Sequence, residues 1–86
     1  MKVYLVFCGD EYYPAGFDDY QGIFANYYLA FSFLSEKALK AIKFGRYIPG
    51  YFDWAEIIEV TELESKLVFR NNIHFFKGFK DGDLEG

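Results

Sequence analysis

The chain is poor in the residues that most often carry chemistry. It has one histidine, His74, and one cysteine, Cys8. One of each cannot complete a tetrahedral zinc site, and a single cysteine cannot close an internal disulfide. Nucleophilic catalysis needs a base within reach of Cys, Ser or Thr. With His74 as the sole imidazole, the expectation is a protein that is not an enzyme, in which Cys8 is a buried thiol acting as a small hydrophobe. Neither a Walker sequence nor G-x-G-x-x-G occurs, so no phosphate-cradling loop and no cofactor are expected. The first apolar run stops at Gly9 and Asp10, and none approaches the roughly 20 residues of a membrane-spanning helix. Met1-Lys2-Val3 leads directly into a strand-like stretch with no signal-peptide pattern, which points to a cytoplasmic protein without a membrane partner.

Basic residues are scarce as well. Nine Lys and Arg stand against 13 Asp and Glu, a net charge of −4. Such a field repels phosphate backbones and favours basic partners, so direct nucleic-acid binding is not expected. Aromatic residues, by contrast, make up 23% of the 86 positions. A domain this small hides only about 60–65% of the surface its unfolded chain exposes. Some rings must then lie outside, where rings edged by charge make binding surfaces.

Periodicity along the chain predicts an α+β domain over 1–78, with a mainly antiparallel sheet of four to five strands and one amphipathic helix packed on one face. VYLVFC, Val3 to Cys8, suits a central strand with both faces substantially covered. Gly9 to Tyr20 is an acidic loop broken by Pro14 and Gly16, and Gln21 to Ala25 is a second strand. Asn26 caps a helix from Tyr27 to Phe44 that Gly45 ends. Its apolar stripe comprises Tyr27, Ala30, Phe31, Leu34, Ala38, Ala41 and Ile42; since Leu29, Phe33, Leu39 and Phe44 lie off it, Tyr47 to Phe52 is expected to fold back on the helix. Asp53 to Val60 is the next strand, and Thr61 to Ser65 a turn. Lys66 to Arg70 and Ile73 to Lys77 then form a terminal hairpin about Asn71-Asn72. Residues 79–86 form a flexible acidic tail.

Acidic side chains offer several decoys. Asp81, Asp83, Glu85 and Gly86 mimic the opening of a calcium loop, but the bidentate Glu and second helix that such a site requires do not follow. Asp10, Glu11, Asp18 and Asp19 have no recognised cation spacing, and a solvated loop is the simpler account. Segregation of charge is more informative. Asp53, Glu56, Glu59, Glu62 and Glu64 occur with no base among them, while Lys37, Lys40, Lys43 and Arg46 gather toward the helix end. The candidate partner-binding surface therefore joins Glu56 and Glu59 to the loop acids Asp10, Glu11, Asp18 and Asp19. Its aromatic edge is Tyr12, Tyr13, Tyr20, Tyr51 and Trp54. A surface of this kind would mimic the phosphate backbone toward a basic groove.

Met1-Lys2-Val3-Tyr4-Leu5-Val6, Gly22-Ile23-Phe24 before a helix containing Ala30 and Ala38, and Trp54-Ala55-Glu56-Ile57-Ile58-Glu59-Val60 together resemble small uncharacterised domains encoded by bacteriophages and prophages. The resemblance covers residues 1–63 and carries no catalytic residue. It implies a protein that binds and blocks host machinery, such as CRISPR or another nucleic-acid-handling defence complex, in the host cytoplasm. On that basis the expected partner is a basic host protein or nucleoprotein complex. The alternatives are a homo-oligomeric assembly protein, dimerising through Leu29, Phe33 and Phe44 or an open sheet edge, and a small-ligand or nucleotide-binding module built on the aromatic loop.

Overall fold

The computed structural model describes residues 1–10 and 19–78. It is a small α+β fold, a four-stranded antiparallel sheet with one main helix. The strands are β1 (Val3–Gly9), β2 (Tyr20–Phe24), β3 (Trp54–Val60) and β4 (Ser65–Asn72), ordered β2-β1-β3-β4. Since β2 and β3 both run antiparallel to β1, they are parallel to each other, and joining them needs a crossover. Helix α1 (Tyr27–Phe44) supplies it, lying across one face of the sheet.

Local sequence fixes the ends of α1. Asn26 has extended backbone, and its side chain accepts a hydrogen bond from the Leu29 amide at 2.9 Å, relieving one of the donors that a helix start leaves unpaired. At the other end Gly45 takes φ 74° while its amide donates to the Ala41 carbonyl. That left-handed conformation costs a residue without Cβ very little. Small residues at Ala30, Ala38 and Ala41, with Leu34 and Ser35, form the buried stripe and let the helix approach the sheet closely. Tyr27 and Ile42, at either end of the expected stripe, are exposed.

Strand alternation sorts the sheet residues. Tyr4, Val6 and Cys8 of β1, paired with Glu59, Ile57 and Ala55 of β3, face the helix. Between these layers lie Phe52 and Phe76, both fully buried. The segment after α1 does fold back: Phe52, Ile48 and Tyr51 join the core, whereas Tyr47 is 98% exposed.

Two expectations need correction. The terminal hairpin is absent, because Asn71 and Asn72 still pair with Ala55 and Trp54 inside β4. Ile73–Gly78 is instead a 3₁₀ helix. Its three-residue repeat puts Ile73 and Phe76 on one buried face, and the Ile73 amide donates to the Asp53 carbonyl at 2.9 Å. The hairpin that does form joins β3 to β4 at the expected turn, where the Thr61 amide donates to the Glu64 carbonyl and the Thr61 hydroxyl accepts from the amides of Leu63 and Glu64. The second correction concerns β1, which is central in the sheet but covered by the helix on one face only. The acidic tail, with Asp81, Asp83 and Glu85, lies outside the described residues.

Gly9 closes β1 where the chain packs tightly. A Cβ there would stand 2.6 Å from Asp19 Oδ1 and 3.0 Å from Trp54 Cζ2, and Asp19 is itself buried. Gly9→Val is therefore expected to cost about 1–3 kcal/mol, the usual penalty of overpacking, read as a lower midpoint in urea unfolding. An unchanged midpoint would show that Asp19 and Trp54 move aside freely.

Candidate functional site

The side of the sheet away from α1 is built by the other half of the strand alternation. Register places Ile23, Leu5, Ile58 and Leu67 in one row across all four strands, as successive cross-strand pairs. A neighbouring row runs Tyr20, Phe7, Glu56, Arg70. Val3 pairs with Val60 beyond the first row, and Gly9 with Trp54 beyond the second. The molecule is 17 Å through its thinnest axis, the depth of one helix layer on one sheet layer. Among the described residues no element packs on this second face. Ile23 is 58% exposed, Leu67 48% and Tyr20 44%. Leu5, Phe7, Trp54, Ile58 and Val60 are half-buried by their neighbours.

Such a surface is costly to leave in water, since each Å² of apolar area withdrawn from solvent contributes about 25 cal/mol. A continuous apolar face on a small domain marks a place where something binds. Its polar feature is the pair Arg70 Nε to Glu56 Oε1, 3.0 Å, in the second row. Phe7 and Tyr20 stand beside it, ring centroids 5.7 Å apart.

The expected partner-binding residues are distributed by this geometry. Tyr20, Trp54 and Glu56 share the uncovered face. Glu59 does not, because residues three apart on a strand point to opposite sides. It lies on the helix side, where it accepts from the Tyr4 hydroxyl at 3.1 Å and pairs with Lys2 at 3.8 Å. Partial loss of solvent, and then the neighbouring Glu59, hold the Tyr4 hydroxyl above its ordinary pKa. The single acidic strand face is thus divided, and each of its two glutamates already has a cation or a donor. Tyr51 belongs to another cluster, at the helix C-terminal end. There Arg46 lies over its ring at 5.7 Å and reaches Asp53 at 3.7 Å. Asp19 is buried beside Gly9, and Asp10 is half-buried. Glu11, Tyr12, Tyr13 and Asp18 lie outside the described residues.

Leu5, Ile23, Ile58 and Leu67 were not among the expected site residues. Alternation within each strand was the available signal, but it does not say which of two apolar alternates the helix covers. Exposed apolar residues of the helix, Leu29 and Phe44, are separate from this face, and Phe33 instead packs on Phe24 with centroids 5.3 Å apart.

Two depressions elsewhere, of about 250 and about 270 Å³, fall below the roughly 300–1,000 Å³ of ordinary ligand pockets. Cys8 is 3% exposed. Burial, opposed in part by Lys37 and reinforced by Asp19, pushes its thiol up to about 12 from 9.0. A neutral thiol is a poor nucleophile. The raised folded value means that the contribution of Cys8 to stability is complete below pH 9.0 and is lost as pH climbs toward about 12. Urea titrations at about pH 8 and about pH 10 are expected to show wild type losing more stability than Cys8→Ala, by at most about 1.4 kcal/mol per pH unit. Equal losses would mean that the thiol ionises normally.

The chain matches no family model, no curated protein and no solved structure. None of its described helices is long and apolar enough to cross a membrane.

Proposed function

We propose that this protein is a non-enzymatic protein-binding module whose binding surface is the uncovered face of the sheet. The observation that carries the proposal is the row Ile23, Leu5, Ile58 and Leu67, continuous across four strands with Phe7, Tyr20 and Trp54 beside it. Rigid aromatic and aliphatic side chains on a preformed strand scaffold bind at little cost in conformational entropy. The buried, neutral Cys8 also supports a role other than nucleophilic catalysis. A narrower form of the proposal is an inhibitor of a basic, nucleic-acid-handling host complex. It draws on the net charge of −4, but Glu56 and Glu59 support it weakly because both are already engaged.

The test is capture of bound proteins from a bacterial lysate by the tagged wild type and by Ile58→Lys, with circular dichroism to confirm that both are folded. A protein retained by wild type and lost by the variant supports the reading. Identical recovery by both would place binding on another surface.

A further inference from the structure

We propose that the occupant of the uncovered face is a second copy of this chain, two sheets packing face to face about a two-fold axis. The inference rests on the reading of that face as the binding surface, and three properties of the face lead to it.

The first is charge. Among the described residues, register gives this face one acid, Glu56, and one base, Arg70, already bonded to each other. That pair is neutral, and the further acid at the Gly9–Trp54 corner of the face, Asp19, is only 8% exposed, so the accessible face shows little of the chain's −4. A strongly charged partner finds little complement there, whereas two such faces meet without the repulsion that the rest of the surface would impose.

The second is self-complementarity, which a two-fold interface demands. An axis running along the strands between β1 and β3 lays β1 on β3 of the second copy, and β2 on β4. The row Ile23, Leu5, Ile58, Leu67 then meets the same four residues in reverse order, apolar on apolar throughout. In the next row Arg70, with its side chain 72% exposed, comes over the Tyr20 ring of the second copy. A guanidinium over a ring is a favourable contact, and symmetry makes it twice.

The third is area. Four strands about 4.8 Å apart and about six residues long at about 3.3 Å each give a face of roughly 400 Å² in plan. With side-chain relief, two such faces hide roughly 1,000–1,200 Å² in total, the lower bound for a specific interface. Interfaces at this low end of the size range belong to weak, transient association, so the test must reach high concentration.

Sedimentation equilibrium of the full chain from about 5 to about 500 µM does so. The apparent mass is expected to rise from 10.1 kDa toward twice that value. Ile23→Lys and Leu67→Lys sit at exposed positions that tolerate lysine in the folded monomer. Each is expected to raise the dissociation constant by about 100-fold or more, because every substitution enters the interface twice. A wild type that stays monomeric throughout would overturn the second copy as occupant, while the lysate capture with Ile58→Lys would still decide separately whether the face binds another protein. A dimer undiminished in both folded lysine variants would also overturn it, since association would then use an edge or the helix.

Discussion

Phe76→Ala is expected to lower the unfolding free energy by about 3–5 kcal/mol, the range for deleting a fully buried ring and leaving a cavity behind. Phe76 has no exposed surface. Its ring centroid lies 6.1 Å from Phe31 of α1, 6.3 Å from Phe52 and 6.1 Å from Phe69 of β4, so it joins the helix, the segment before β3 and the edge strand. At about 0.05–0.15 kcal/mol per residue a chain of this length holds roughly 4–13 kcal/mol in all, and the substitution removes a large share. Phe75→Ala is the control. Phe75 is 41% exposed and is expected to cost no more than about half as much. The comparison is made by urea unfolding monitored by circular dichroism. Equal costs at 75 and 76 would show that the 3₁₀ helix does not dock as described.

Phe76 belongs to a segment that the sequence misassigns, and the reason is physical. KLVFR and IHFFK flank Asn71-Asn72 symmetrically, as hairpin strands would, and nothing local distinguishes this from a strand followed by a 3₁₀ turn. The choice is made elsewhere in the chain. Asp53 offers its carbonyl to the Ile73 amide, and the space between α1 and the sheet accepts residues three apart, Ile73 and Phe76, rather than two apart. The helix was legible to the residue because its signals are local: Asn26 and Gly45 are each sufficient to end it. Strand positions were legible for the same reason, through β-branched and aromatic runs between turn residues.

Register was not legible, and the candidate site is a matter of register. Pairing Leu5 with Ile58 links residues more than 50 positions apart, a contact that no sequence window contains. Alternation alone separates Glu56 from Glu59, since an interval of three on a strand changes sides, and the expected acidic surface, which joined the two, disregarded it. Assigning each to its face needed the helix, whose arrival over Val6 and Ile57 turns one apolar alternate into core and leaves the other outside. An apolar pattern on both alternates of β1 is also what a fully covered central strand would show, which explains why Leu5 and Phe7 were read as interior.

Ile57 and Ile58 therefore provide a decisive comparison, being the same residue type, adjacent, in the same strand. Ile57→Lys is expected to unfold the protein. Its side chain is fully buried among the helix-side core, and a lysine there must either hold an unpaired charge away from water or force the layers apart, a loss exceeding about 4–5 kcal/mol. Ile58→Lys is expected to leave the fold within about 1 kcal/mol of wild type, because at the half-buried outer face a lysine lays its aliphatic stem along Leu5 and Leu67 and extends its ammonium into solvent. The readouts are far-ultraviolet circular dichroism and the urea midpoint of each variant. A native spectrum for Ile58→Lys together with a collapsed signal for Ile57→Lys requires two chemically identical neighbours to face different media, one the core and the other a surface open to a partner. If the two variants unfold alike, the outer face is covered by the chain itself and is unavailable for binding. If both remain folded, Ile57 is not core and the helix does not pack where the register places it.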